Sequence, residues 1–371
     1  MFNNNGYISE KQLRRMVVLP VFVSVILVVP YVSAVLFGEN VLLGLFTFFA
    51  LSGLYVLVIS AMSNWYQKIN TQGEPNGFIS ALTETGLPGK ALTLLTVARL
   101  ILHLAFYILL TISVLEEAQV PFMIKTTNES NTNLLVATPL LLVALYGANR
   151  KMEHHARMQE MIFWVIFIPF ILMIVFGLKE VDYQIFVPQS NQSFGDMLLY
   201  AYMLLFFVTP MEYYLFLRPS LRAPKDKVKQ GVIGAIFIGL VLTLFLLGIY
   251  GVNGAASEPM VTTAIMRYIR LPFGVLERFD VLVIWFFVTG CFVLICETLY
   301  ITGHIFHRIW KREKIVWLLV ATLFLAALVV LFLRSYEESL LTFICYGALL
   351  DIPLSLLVPL LGGGLYSLYR E

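Results

Sequence analysis

Apolar runs long enough to cross a lipid bilayer recur ten times along this chain, and no other feature limits its fold so severely. They begin near Val17, Val41, Ala91, Leu134, Met161, Met197, Gly231, Asp280, Ile315 and Leu341. A helix of about 20 apolar residues spans a bilayer core. Within hydrocarbon each backbone N–H and C=O must find a partner inside the segment, so runs of this length read as helices. The 371 residues are 59% hydrophobic and 13% charged, with mean hydropathy +0.85. A soluble domain carries about 25% charged residues. The fold class is therefore an all-α membrane protein of ten transmembrane helices, forming one transmembrane domain over residues 1–371. The stretch from Val17 to Phe37 is read as the first span rather than a cleaved leader, because it exceeds the apolar core of a signal peptide.

Charge placement orients the spans. With residues 1–16 inside, most of the 25 Lys and Arg residues fall in inner segments. Among them are Lys11, Arg14, Arg15, Arg150, Lys151, Arg157, Lys225, Lys227, Lys229, Arg308 and Lys311. By the positive-inside rule both termini are cytoplasmic. The outer segment 253–279 combines Met266, Ile269 and Leu271 with Arg267 and Arg270, the pattern of a short amphipathic helix over the outer face. Cys291, Cys296 and Cys345 are an odd set in apolar runs with no CxxC spacing, so they read as small core residues rather than disulfides or zinc ligands. Glu153, His154 and His155 sit in a basic connector and read as solvated, with no metal implied. No nucleophile elbow, phosphate loop or dinucleotide fingerprint is present; no enzyme and no cofactor are indicated.

The sixth run interrupts itself with Val208-Thr209-Pro210-Met211-Glu212-Tyr213-Tyr214. Proline removes an intrahelical hydrogen bond, and Thr209 with Glu212 three residues on has the spacing of a capping box. Freed backbone groups and a carboxylate at membrane depth are tolerated where they line an enclosed or watery site. The first run matches it: Pro30 lies 13 residues after Val17, and Pro210 lies 13 residues after Met197. Two five-span halves, 17–178 and 197–368, with a broken first helix in each, form an inverted repeat of the transporter type. Ionisable residues within spans are Arg99 and His103 in span 3, Glu212 in span 6, Glu297 in span 8 and Asp351 in span 10. Each costs about 2.5–3.5 kcal/mol at a helix centre on insertion scales, so their confinement to these spans marks a pathway.

Each of these residues has more than one reading. Glu212 either caps the restarted half-helix or receives a ligand ammonium or a proton. Arg99 pairs with Glu297 or Glu212, or snorkels to the inner face. His103 is a hydrogen-bonded core histidine or a proton relay. Asp351, two residues before Pro353, caps a local break or gates the path. The candidate binding residues are Ser24, Pro30, Tyr31, Thr209, Pro210, Glu212 and Tyr213, beside the two breaks, with Tyr214 also placed there.

Several stretches resemble the B-subunit permeases of spore nutrient germinant receptors. They are Ile8-Ser9-Glu10-Lys11-Gln12-Leu13, Ile26 to Pro30, Tyr146-Gly147…Glu153…Arg157…Glu160, Glu212…Pro219…Pro224-Lys225-Asp226-Lys227, and Ile269 through Leu276-Glu277-Arg278-Phe279-Asp280 to Trp285. The resemblance implies the LeuT-type fold of the amino acid–polyamine–organocation superfamily. It further implies sensing of a small nutrient, typically an amino acid, in a complex with an A subunit and a C lipoprotein in the inner spore membrane. The chain departs from that pattern at Val23-Ser24-Val25, where relatives tend to carry glycines. Valines hinder close backbone approach, so either the ligand differs or the first break is only a kink at Pro30. A stand-alone proton-coupled amino acid transporter and a scaffold subunit with a vestigial pocket are the alternative functions.

Overall fold

The apolar runs do form helices. We describe residues 8–69, 78–122, 129–187, 193–221, 227–257, 279–309, 315–334 and 339–370 from a computed structural model. The described residues are 95% helical, with no strands. The chain runs through α1 (Glu10–Phe37), α2 (Val41–Ile69), the short α3 (Phe78–Glu84), α4 (Gly86–Phe122), α5 (Glu129–Ala148) and α6 (Met152–Gly177). It continues through α7 (Phe194–Leu204), a 3-10 segment Leu205–Glu212, α8 (Tyr213–Leu217), α9 (Val228–Tyr250) and the short α10 (Val252–Ser257). The last three helices are α11 (Phe279–Ile309), α12 (Ile315–Arg334) and α13 (Ser339–Arg370). Among the described residues, seven stretches are long and apolar enough to cross a membrane. The first, Glu10–Lys68, holds both α1 and α2, whose chain reverses at Gly38 with φ +52. Shorter apolar helices cover Ala137–Ala148 and Leu318–Val330. The amphipathic helix expected around Met266, Arg267, Ile269, Arg270 and Leu271 lies outside the described residues.

α1 is the axis of the bundle. It packs on α6, α9, α11 and the 3-10 segment, and nearly every residue from Met16 to Pro30 is buried. The expected break in this span is absent: α1 runs unbroken through Pro20 and Pro30. The packing supplies the reason. A Cβ at Gly239 of α9 would come within 2.6 Å of Val25 Cγ1, and one at Gly290 of α11 within 2.8 Å of Val23 Cγ1. The two valines are thus seated in hollows that glycines of the neighbouring helices leave open. Gly231, Ala235 and Gly239 repeat every fourth residue along α9, the small-residue stripe that lets membrane helices approach closely.

The start of the chain acts as a clasp. Ser9 and Gln12 form a capping box that begins α1, with Gln12 N donating to Ser9 Oγ at 3.3 Å and Ser9 N to Gln12 Oε1 at 3.0 Å. Ile8 N donates to Ser220 O at 3.0 Å. Glu10 Oε1 accepts from Lys227 N at 2.7 Å, placing a carboxylate at the positive end of α9. Ile8-Ser9-Glu10 therefore ties α1 to the chain on both sides of the 222–226 connection.

Two glycines five residues apart on α9 should respond oppositely to alanine. Gly234 faces open space, so Gly234→Ala should raise stability by up to about 1 kcal/mol through helix propensity. Gly239→Ala intrudes on Val25 and should lower it by about 1–3 kcal/mol. Unfolding of the two variants in detergent measures both signs.

Candidate functional site

A proline within a helical run leaves carbonyls without donors, and the sixth run shows where they turn. In a 3-10 helix the N–H of residue 210 would serve Phe207 O; in an α-helix it would serve Phe206 O. Pro210 has no N–H. Ser24 Oγ of α1 donates to Phe207 O at 2.6 Å, and Thr209 Oγ1 donates to Phe206 O at 2.7 Å. Two hydroxyls thus satisfy both acceptors, and Leu205–Glu212 holds as a buried 3-10 segment rather than unwinding. The capping box expected of Thr209 and Glu212 is not made. The α-helix resumes at Tyr213, and Glu212 turns its carboxylate elsewhere.

That carboxylate meets Arg99. On α4, Arg99 and His103 are four residues apart and share a face. Arg99 Nη2 pairs with Glu212 Oε2. Arg99 Nε donates to Asp351 Oδ1 of α13 at 2.6 Å. His103 Nε2 stands 3.1 Å from Asp351 Oδ2 and 3.1 Å from Thr209 Oγ1. Arg99, His103, Thr209, Glu212 and Asp351 are each no more than 2% exposed. The cluster joins two carboxylates to one guanidinium, so with both carboxylates ionised these three groups sum to one negative charge. Among the described residues, Arg99 Nη1 and His103 Nδ1 have no hydrogen-bond partner. Asp351 is not the cap of a break: α13 continues through Pro353.

A second buried cluster was not foreseen. His155 was expected in a solvated connector; instead it lies in the first turns of α6, 1% exposed, its ring stacked on Tyr300 at 4.3 Å. Its Nε2 is 2.6 Å from Glu297 Oε2, which also accepts from Gln159 Nε2 at 3.0 Å. Glu297 is consequently not the partner of Arg99. His155 and Gln159, four apart and on one helix face, were the available signal. Tyr213 Oη and Thr298 Oγ1 share a hydrogen bond of 2.8 Å between the 3-10 exit and α11. Tyr214 is fully buried, with the Arg218 guanidinium 5.2 Å from its ring centre. Pro30 O accepts from Ser33 Oγ at 3.1 Å, and Tyr31 is half-buried on α1. Pro30 and Tyr31 make no hydrogen bond with the Arg99 cluster among the described contacts, whereas Ser24 touches the 3-10 segment directly.

Membrane-length helices around an interrupted one, with an occluded charge cluster beside the interruption, define a permease-like integral membrane protein. The family model described as spore germination protein matches residues 8–339, and the chain belongs to this family of spore germination permeases. A comparison with curated proteins returns no match.

Removing one member of a buried ion-pair network strands the others at a cost of about 3–5 kcal/mol. Arg99→Leu should destabilise by that order, since it leaves Glu212 and Asp351 facing each other. Adding Asp351→Asn to Arg99→Leu should recover part of the loss by removing one stranded charge. A double-mutant cycle on detergent unfolding reads the coupling.

Proposed function

We propose that the chain is the membrane subunit of a spore germinant receptor and senses a small amino-acid-like nutrient at the Arg99 cluster. The carrying observation is the imbalance of that cluster. Arg99 Nη1 offers unfilled donors suited to a carboxylate, while the surplus negative charge of Glu212 and Asp351 suits an ammonium. These are the two charged ends of an amino acid. Binding at this point bears on the 3-10 segment, where the hydroxyls of Ser24 and Thr209 bond the carbonyls of Phe207 and Phe206 beside the missing N–H of Pro210. Movement there reaches α1 through Ser24 and α11 through Tyr213 and Thr298.

The wider reading follows the family. The helices form ten spans in a LeuT-type five-plus-five arrangement, with both termini cytoplasmic, in the inner spore membrane. The chain works with an A subunit and a C lipoprotein, and ligand binding triggers germination. The unbroken α1, with Val23 and Val25 seated against Gly290 and Gly239, supports a second reading. In it the chain is a scaffold whose pocket is vestigial, because the span 1 half of the usual site is filled by packing.

Individual amino acids added to the purified chain should raise its unfolding temperature for at least one ligand, and Glu212→Gln should abolish that rise. No response to any amino acid favours the scaffold. Concentrative uptake into liposomes driven by a pH gradient favours a stand-alone transporter. Single cysteines placed at either terminus of a cysteine-free variant should react with an impermeant thiol reagent only from the cytoplasmic side. Labelling from outside breaks the ten-span orientation.

A further inference from the structure

A groove of about 430 Å³ lies between α1, α6 and α9 at the basic end of α1, away from the Arg99 cluster. Lys11, Arg14 and Arg15 line its mouth, and no carboxylate among the described residues lines it. Arg15 is already engaged: it pairs with Glu160, and its guanidinium sits 5.7 Å from the rings of Phe163 and Trp164. The Glu10 carboxylate accepts from Lys227 N. Lys11 and Arg14 have no hydrogen bond or ion pair among the described contacts and are left facing the mouth. Gly231 makes room for the Arg14 stem, since a Cβ there would meet Arg14 Cδ at 2.7 Å.

Below the cations the lining turns apolar, with Phe22, Phe163, Phe167 and Ile238. Arg14 and Phe22 are eight residues apart, which is about 12 Å along α1. Gly234 forms an open stretch of the α9 wall, with nothing within 4 Å of its Cβ position. The flanking helices continue outward with exposed apolar side chains, Val165 and Ile168 on α6 and Phe237 and Val241 on α9. The groove is therefore lined for an anion at its mouth and for hydrocarbon beneath, and it opens sideways onto a lipid-facing surface. We propose that it is a binding site for an anionic phospholipid, with the headgroup phosphate on Lys11 and Arg14 and an acyl chain along Phe22 and Phe167. Basic pockets between membrane helices favour such headgroups. An acidic peptide fits less well: among the described residues of the lining only Gln230 and the Trp164 indole add uncharged polar groups, leaving an inserted backbone few partners below the cations.

The test uses the full chain in phosphatidylcholine nanodiscs, with and without phosphatidylglycerol. At roughly 100 times its Kd, a specific lipid should raise the unfolding temperature by about 5 °C. Gly234→Leu, which fills the groove, and the pair Lys11→Gln with Arg14→Gln should each abolish that rise; the charge pair should leave the midpoint in pure phosphatidylcholine unchanged, while Gly234→Leu should raise it slightly through helix propensity. Should Gly234→Leu fail to fold, the charge pair still decides. Three results overturn the proposal: a phosphatidylglycerol response retained in the foldable variants, a response equalled by glycerol 3-phosphate in detergent, or competition for the site by an acidic peptide that phosphatidylglycerol cannot displace.

Discussion

The guanidinium of Arg99, held between Glu212 and Asp351, is the interaction around which the bundle has to be arranged. Each ionised group at membrane depth is costly by itself, and the three are tolerable only together. Their meeting fixes α4, the 3-10 segment and α13 against one another at a single point. His103 adds a second contact to the Asp351 carboxylate and links it to Thr209 at the interruption. The charge cluster and the backbone interruption are therefore one structure. A shift in either must be answered by the other.

The interruption is built by substitution of donors. Pro210 withdraws an N–H, and the hydroxyls of Ser24 and Thr209 take its place on Phe207 O and Phe206 O. One of the two hydroxyls comes from another helix, so the local break is also a tertiary contact with the axis of the bundle. α1 itself has no such opening. Its prolines are accommodated within a continuous helix, and its valines occupy hollows left by Gly239 and Gly290. The two broken helices expected at Pro30 and Pro210 are consequently unequal: the first is a continuous packed helix, and the sixth run is interrupted and carries Glu212.

Family membership rests on residues 8–339, and the matched stretch opens with Ile8-Ser9-Glu10, which has a structural task. Its residues begin α1, pair with Ser220 and meet the start of α9, so three parts of the fold depend on it. The groove above Phe22 lies on the same end of α1, with Lys11, Arg14 and Arg15 at its mouth.

The positions of the helices, the interruption at Pro210 and the membrane class were legible in the sequence. They depend on local quantities: run length, hydropathy and the missing N–H of proline. The set of buried ionisable residues in spans 3, 6, 8 and 10 was legible for the same reason, since charge stands out in an apolar run. Their pairing was not. Glu297 could serve Arg99 or another partner, and the choice of His155 follows from how α6 lies against α11. His155 read as a solvated connector residue because burial at the end of a span depends on what packs over it. Whether α1 would break at Pro30 was decided by Gly239 and Gly290, more than 200 residues away in the chain. Hydrogen bonds that a backbone lacks are visible in a sequence; the side chains that replace them, and the hollows that receive its valines, belong to the packed structure.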